Sequence, residues 1–361
     1  MAKSKSEIQN EALAILLRVH RGAAGITMGG GKTLLGLHHM NENYTEYAKF
    51  LVVAPKLAVF EEWKSQTQEH KLGHLLPHME FTTYRSITKQ SYDYDVVYLD
   101  ECHSLLEKHD PWLNSFTGKI IGLSGTLPKY KKSIAAKMVD KYCPVVYKYL
   151  TDEAVKANIL NDYRITVHML KLNPLKTMLM TSKQGKQWYA SERDTYNYWT
   201  NRIDSASTAK ETQIMRVMRM KAMMEFPSKE QLAERLLVLS NNKTIVFANT
   251  QEQADRLCVN SYHSNNPLSD ENLKAFKEDK ITKLSCVLQL NEGVNIPNLK
   301  EGIILHAYGN ERKSSQRIGR LLRLNPKEQS AIHVLCYENT VDETWVKSAL
   351  EGFDQSKIFY I

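Results

Sequence analysis

Apolar positions along this chain recur with two periods, and the alternation between the two lays out the expected fold. Residues 6–19 repeat at helical spacing, with Ile8, Leu13, Leu16 and Leu17 on or near one face. Positions 33–40 predict a second helix. Phe50-Leu51-Val52-Val53-Ala54 is a continuous apolar run ended by Pro55, the pattern of a strand buried on both faces. Positions 57–70 predict a helix with Phe60 and Trp63 as core anchors, and 81–84, 96–99 and 119–123 predict strands. Strands alternating with helices at this spacing imply an α/β domain with a parallel sheet. Residues 145–162 carry no strong strand and are rich in Lys, Asp and Asn, which places the inter-domain connection there. A strand is expected at 163–172. Ser228-x-x-Gln231 after Pro227 predicts a capping box that opens a helix over 229–240. Strands at 243–248, 284–290, 302–306 and 331–336, with helices at 251–260 and 313–324, repeat the first grammar. Two similar sheets are therefore expected, without a repeat at the level of sequence.

The stretch 175–226 reads least clearly. Met, Arg and Lys at 214–224 predict a helix whose Met side chains fill a core. Trp188, Tyr189, Tyr196, Tyr198 and Trp199 lie among basic residues. They fit a stacking surface for bases or, the stronger reading given how often aromatics are buried, the core of a helical insert.

The chain of 361 residues is long enough for two domains, each with its own core. A net charge of +8 is compatible with a polyanionic partner and equally with simple solubility. No apolar run approaches the length that crosses a bilayer, and no signal-type apolar segment follows the basic start Met1-Ala2-Lys3-Ser4-Lys5. A cytoplasmic protein, a monomer without membrane contact, is the expectation. Cys102, Cys143, Cys258, Cys286 and Cys336 are scattered singly, so neither a zinc ribbon nor a disulfide framework is indicated. His70, His74 and His78 recur every fourth residue, but Gly73 and Pro77 break the helix that would align them as metal ligands.

The chemistry starts at Ile26-Thr27-Met28-Gly29-Gly30-Gly31-Lys32-Thr33. Three glycines let the backbone pass close to a ligand. The lysine reaches β and γ oxygens of a nucleotide, and the Thr33 hydroxyl holds Mg²⁺. The helix that follows aims its positive end at the same anion. Ile26 stands where the strict pattern wants Gly or Ala. Gln9 has two readings: adenine recognition through its amide, or an ordinary cap in a Ser6-x-x-Gln9 box. Polar clusters at 29–33, 100–103 and 124–126 all follow predicted strands and should converge on one sheet edge. There Asp100 can bind Mg²⁺ opposite Thr33, and Glu101 can orient and deprotonate water. Gln316-Arg317-Ile318-Gly319-Arg320-Leu321-Leu322-Arg323 sets arginines three apart on a helix that Ile318, Leu321 and Leu322 bind to a core. Arginines so fixed, facing a γ-phosphate across a cleft, act as fingers worth about 10³–10⁵ in rate. Loaded from both sides, such a cleft closes on ATP and opens on hydrolysis, which is the cycle of a stepping motor.

The order of these motifs resembles that of superfamily 2 helicases and translocases. Met28-Gly29-Gly30-Gly31-Lys32-Thr33 resembles motif I, Leu51-Val52-Val53-Ala54-Pro55 motif Ia, and Asp100-Glu101-Cys102-His103 a DECH form of motif II. Ser124-Gly125-Thr126 resembles motif III, Gly293-Val294-Asn295-Ile296-Pro297 motif V, and the stretch from Gln316 to Arg323 motif VI. Gln9 stands where the family's adenine-reading glutamine lies. The resemblance implies two RecA-like domains, residues 1–155 and 156–361, with parallel sheets and an ATP cleft between them. It implies ATP and Mg²⁺ as cofactors and catalytic roles for Lys32, Asp100, Glu101, Gln316, Arg320 and Arg323. Nucleotide contacts are implied from Gln9, Met28, Gly29, Gly30, Gly31, Lys32, Thr33, Gly293 and Asn295, with Thr33 and Asp100 on the metal. Strand contacts are implied from Pro55, Lys56, Thr83, Asn249, Thr250 and Asn295, all to phosphate and sugar. Asn295 replaces the usual Asp of motif V, which is expected to weaken coupling to DNA. By wording, the nearest types are Snf2-like translocases, phage branch-migration helicases acting on recombination intermediates, and restriction-enzyme translocases.

The expected activity is that of an ATP-driven helicase or translocase on single-stranded, duplex or branched DNA. The rival is a nucleotide-gated clamp with little turnover. No residue separates DNA from RNA; the absence of DEAD-box wording leans to DNA. No long strand-separating hairpin fits between motifs V and VI, and a protein partner is expected to supply substrate choice.

Overall fold

The computed structural model describes residues 4–26, 30–125, 127, 133–149, 162–182, 184–287, 296–307, 329–351 and 353–361. The chain divides into two compact units, one reaching Asp162 and the other starting at Tyr163. Each has a sheet of its own, and the fold is the α/β architecture of tandem RecA-like domains.

The first unit opens with α1 (Lys5–Leu16), β1 (Arg21–Ile26), α2 (Lys32–Glu42), β2 (Phe50–Ala54) and α3 (Ala58–Glu69). It continues through β3 (Met79–Thr83), β4 (Val96–Asp100), α4 (Asp110–Ser115), β5 (Lys119–Ser124), α5 (Ile134–Tyr142) and β6 (Val145–Tyr149). The six strands lie in the order β3-β2-β4-β5-β1-β6, and each neighbouring pair is parallel. β2, and β4 with Asp100 as its last residue, are buried along their whole length, as strands covered on both faces must be. A core of Leu51, Val53, Val97, Leu99, Ile120 and Trp112 fills one face.

Two expectations fail in this unit. Val145–Tyr149 is a strand after all, pairing with β1 at the sheet edge. With one neighbour and four of five residues incompletely buried, it never shows a continuous apolar run. The cap of α1 is Ser4 with Glu7, not Ser6 with Gln9: Ser4 Oγ accepts from Glu7 N, and Glu7 returns the bond. Gln9 is thereby left to other work.

The second unit comprises β7 (Asp162–Leu170), β8 (Met178–Thr181), β9 (Gln187–Ala190), α6 (Glu192–Asp204), α7 (Ala209–Met224), α8 (Pro227–Leu239) and β10 (Thr244–Phe247). There follow α9 (Gln251–Leu257), β11 (Ser261–Tyr262), α10 (Ser269–Lys277), β12 (Lys283–Cys286), β13 (Glu301–Ile304), β14 (Gln329–Tyr337), α11 (Val341–Leu350) and β15 (Ile358–Tyr360). Seven strands form a sheet in the order β11-β12-β10-β13-β14-β7-β15, and β8 and β9 make a separate antiparallel hairpin. Ser228 does not cap α8: its N–H and hydroxyl both donate to the Glu192 carboxylate, at 2.9 Å each. Pro227 at the first helical position removes one of the N–H groups that a helix start leaves without a partner, and Glu192 takes the next, that of Ser228. The helix expected over 214–224 is present as α7, but its methionine core is borne out in part: Met223 alone among its methionines is fully buried, against Phe226 and Tyr337. Trp188, Tyr189 and Tyr198 are 45%, 62% and 56% exposed, so these aromatics do not pack a core. Among the described residues no helix is long and apolar enough to cross a membrane.

A histidine pair makes this unit sensitive to acid. His168 Nε2 lies 2.9 Å from His333 Nδ1, and His333 Nε2 is 3.4 Å from the Glu301 carboxylate. Burial first, and the neighbouring His333 second, lower the His168 pKa to about 4. For Glu301 burial pushes upward, but hydrogen bonds from His333, Ser240 and Asn242 outweigh it and hold the pKa near about 2. A histidine whose folded pKa lies below its unfolded 6.5 stabilises above 6.5 and loses that contribution as pH falls to about 4. We expect His168 to account for about 1–2 kcal/mol of acid destabilisation, after a discount for its partial exposure. Thermal melts of His168→Gln across that window should show a flatter fall than wild type; an identical slope would contradict the assignment.

Candidate nucleotide-binding site

Strands β4, β5 and β1 are adjacent and parallel, so their carboxyl ends share one edge. The phosphate-type loop follows β1, Asp100-Glu101 ends β4, and Ser124-Gly125 ends β5. Gly31 caps α2 from the left-handed region, φ 82°, where a side chain would be strained, and it offers no side-chain cap to the first turn. An anion is the partner such a helix start favours.

Gln9 is buried, and its amide donates to Gly31 O at 3.1 Å and Gly30 O at 3.5 Å. Of the two sequence readings, the cap is excluded, and the side chain sits against the loop. Lys32 Nζ lies 3.7 Å from Glu101 Oε1. The other Glu101 oxygen accepts from Ser124 Oγ at 2.9 Å and Gly125 N at 3.4 Å, with His103 Nδ1 at 3.2 Å. His103 Nδ1 also stands 2.8 Å from Ser124 Oγ. Glu101 itself is left-handed at φ 51°, a strained state for a non-glycine residue that recurs at functional sites.

The two acids are tuned apart. Burial dominates at Asp100, and with the charge of Glu101 it overrides the Trp63 and Lys32 contributions and raises the carboxyl to about 6. At Glu101 burial also acts upward, yet Lys32, His103 and Ser124 together hold the carboxyl well below the usual range. Glu101 is thus a fixed anion at neutral pH. Asp100 is oriented by Trp63, whose indole donates to Oδ2 at 2.9 Å, and by its place at the strand end. Trp63 can reach it because residue 36 on α2 is glycine. A Cβ there would lie 2.5 Å from Trp63 Cη2 and 3.0 Å from Leu123 Cδ1.

The structure therefore brings together Gln9, Gly30, Gly31, Lys32, Asp100 and Glu101, with Thr33 in the first turn of α2. Pro55 and Lys56 follow β2 beside Thr83 at the end of β3, since Ala54 pairs with Thr83. Asn249 and Thr250 belong to the second unit. Thr250 Oγ1 caps α9 by accepting from Gln253 N, and Asn249 N donates to Gln253 Oε1. Met28, Gly29, Thr126, Gly293, Asn295, Gln316, Arg317, Arg320 and Arg323 lie outside the described residues. Sequence reasoning took Trp63 only as a core anchor and assigned no role to His103 or Ser124. The hydrogen bonds of an indole or a hydroxyl leave no trace in hydrophobic period.

Among the described residues no three His, Cys, Asp or Glu cluster as a metal cage. A cation such as Mg²⁺ takes one or two protein oxygens and fills the rest with phosphate and water. A hydroxyl at Thr33 and a carboxyl at Asp100 are hard oxygen donors of this kind. The glycine-rich helix start and Lys32 fit a polyphosphate.

Residues 228–325 match the model of the helicase conserved C-terminal domain. A DNA 3'-5' translocase XPB2 of Sulfurisphaera tokodaii is 30% identical over 112 residues, which are 29% of this chain and 26% of that protein. The chain thus spans about a quarter of the length of this curated relative. The solved structure of the ATP-dependent Type ISP restriction-modification enzyme LlaBIII bound to DNA aligns with all of this chain and 31% of its own, at 14% identity and TM-score 0.64. The Pyrococcus furiosus Hef helicase domain aligns over 94% of this chain and 97% of its own, at 14% identity and TM-score 0.52. At such identity the two structures establish the fold.

Proposed function

We propose that this protein is an ATP-dependent DNA translocase or helicase of superfamily 2, remodelling duplex or branched DNA. The observation that carries the reading is the meeting of Lys32, Asp100 and Glu101 at one sheet edge beside a glycine-started helix. In it the backbone of Gly30 and Gly31 and the Lys32 ammonium bind phosphate oxygens. Thr33 and Asp100 hold Mg²⁺, and Gln9 reads the adenine edge. Glu101, kept anionic and oriented by Ser124 and His103, positions a water and takes its proton on a carboxylate oxygen. Bound ATP with its metal supplies the anhydride bond whose loss drives the cycle. Arg320 and Arg323, with Gln316, are assigned to the γ-phosphate, and Gly293 and Asn295 to coupling. Pro55, Lys56, Thr83, Asn249 and Thr250 contact the strand backbone. Support for DNA comes from the matched translocase.

Steady-state ATP hydrolysis with single-stranded, duplex and forked DNA and with RNA tests the reading. Stimulation is expected with DNA, highest on duplex or forked substrates. Stimulation by RNA alone would make it an RNA helicase. No stimulation by any nucleic acid would make it a nucleotide-gated clamp.

A further inference from the structure

Tyr84 sits where three strand ends meet. β3, β2 and β4 are neighbours in the sheet and run parallel, and they finish at Thr83, Ala54 and Asp100. Tyr84 follows Thr83 directly. Its N–H donates to Ala54 O at 3.3 Å, and its hydroxyl donates to the backbone carbonyl of Asp100 at 2.9 Å. The side chain is buried in the core with Leu99, Leu105 and Trp112, and its ring lies 5.7 Å from that of His109. Burial, first among its causes, pushes the phenol pKa well up, so the hydroxyl stays a donor. The carbonyl it holds belongs to the peptide that joins Asp100 to Glu101, and Glu101 has the left-handed φ of 51°. A residue in so sparsely populated a conformation persists because its surroundings over-determine it. The Tyr84 hydroxyl is one such restraint. Thr83, its neighbour in sequence, and Pro55-Lys56, which follow the Ala54 it binds, are the residues of this unit assigned above to the strand backbone.

We propose that Tyr84 is a positioning residue that couples strand binding to hydrolysis. A phosphate gripped at Thr83 or Lys56 shifts the ends of β3 and β2. The shift reaches the Asp100–Glu101 peptide through the two hydrogen bonds of one residue, and the metal-holding acid and the base turn together. A small shift is enough, because misplacing a reacting group by about 1 Å costs about 10²-fold in rate. A hydroxyl that served the fold alone would need no particular acceptor. This one takes the carbonyl between the two site acids, while its own N–H ties down the loop that carries the other strand contacts. The inference rests on the proposed function for ATP hydrolysis and for those contacts, and it lies wholly within the first unit.

Steady-state ATP hydrolysis by the full chain, titrated with forked DNA and in parallel with single-stranded RNA, tests it. Tyr84→Phe keeps the ring and removes only the hydroxyl. The ratio of nucleic-acid-saturated to basal kcat should fall about 5-fold or more, the size of ordinary coupling between two sites. The KM for ATP and the half-saturating concentration of nucleic acid should stay close to wild type, which a general loosening of the site would not allow. An unchanged ratio overturns the coupling. So does an equal fall in basal and saturated kcat, which would make Tyr84 a support of the site alone. A variant that fails to fold overturns it too, by making the bond part of the core. A wild type that neither nucleic acid stimulates removes the motor and the coupling together, whereas a stimulated wild type with the same ratio in Tyr84→Phe removes the coupling alone.

Discussion

Glu101→Gln is expected to hydrolyse ATP about 10²–10⁴-fold more slowly than wild type while binding the nucleotide with similar affinity. The substitution keeps size and leaves an oxygen to accept from Ser124 Oγ, which now holds Glu101 Oε2 at 2.9 Å. What it removes is the basic oxygen. The carboxylate stands beside Lys32 and His103, which hold its pKa low against the upward push of burial, so it is fully ionised across the neutral range. The defect should accordingly persist at every pH from about 6 to about 9, because the wild-type base stays ionised throughout. A fluorescent nucleotide titration beside a steady-state hydrolysis assay separates the two parameters. Normal turnover would remove Glu101 from the role of base, and equal losses in affinity and rate would assign it to nucleotide binding instead.

Asp342→Ala should destabilise the second unit by about 3–5 kcal/mol, a fall of about 6–20 °C in melting temperature for a domain of this size. Lys229 and Asp342 are 1% and 0% exposed, and Nζ sits 2.5 Å from Oδ2. Lys229 also lies 2.9 Å from His306 Nδ1, and Tyr337 N donates to the same Asp342 oxygen at 3.0 Å. Burial works against both charges. It wins at Lys229, whose pKa is lowered despite Asp342, and loses at Asp342, whose carboxyl Lys229 and His306 hold well down. Deleting the carboxylate strands the ammonium in a dry site. Lys229→Met combined with Asp342→Ala should recover most of the loss, because two charges removed together leave neither unpaired. A double variant as unstable as the single one would show that packing, not charge, is at stake. The network ties the start of α8 to the end of β13 and the first turn of α11, so it governs how the chain leaves β13 at His306.

Much of this was legible in the residues. Strands such as Phe50–Ala54 and Val96–Asp100 are buried on both faces and advertise themselves as apolar runs. Edge strands do not: Val145–Tyr149 and Ile358–Tyr360 carry exposed or half-buried residues, and the alternation that would mark them is too short to count. Caps were misjudged for a related reason. Ser4, Ser6 and Ser228 look alike in sequence, and only tertiary partners decide among them. Glu192 claims Ser228 from 36 residues away. The convergence of Lys32 with Glu101 followed from motif order and strand direction. The service of Trp63 to Asp100, and the outward turn of Tyr189, depend on which face of a helix or hairpin the rest of the unit leaves open.

Gly36 places a limit on how the site can evolve. Its missing side chain sets the depth to which the indole of Trp63 sinks, and the indole's N–H is one of the influences that lower the Asp100 pKa. A bulkier residue there would act at a distance, through volume alone. It would shift the proton affinity of an acid it never touches.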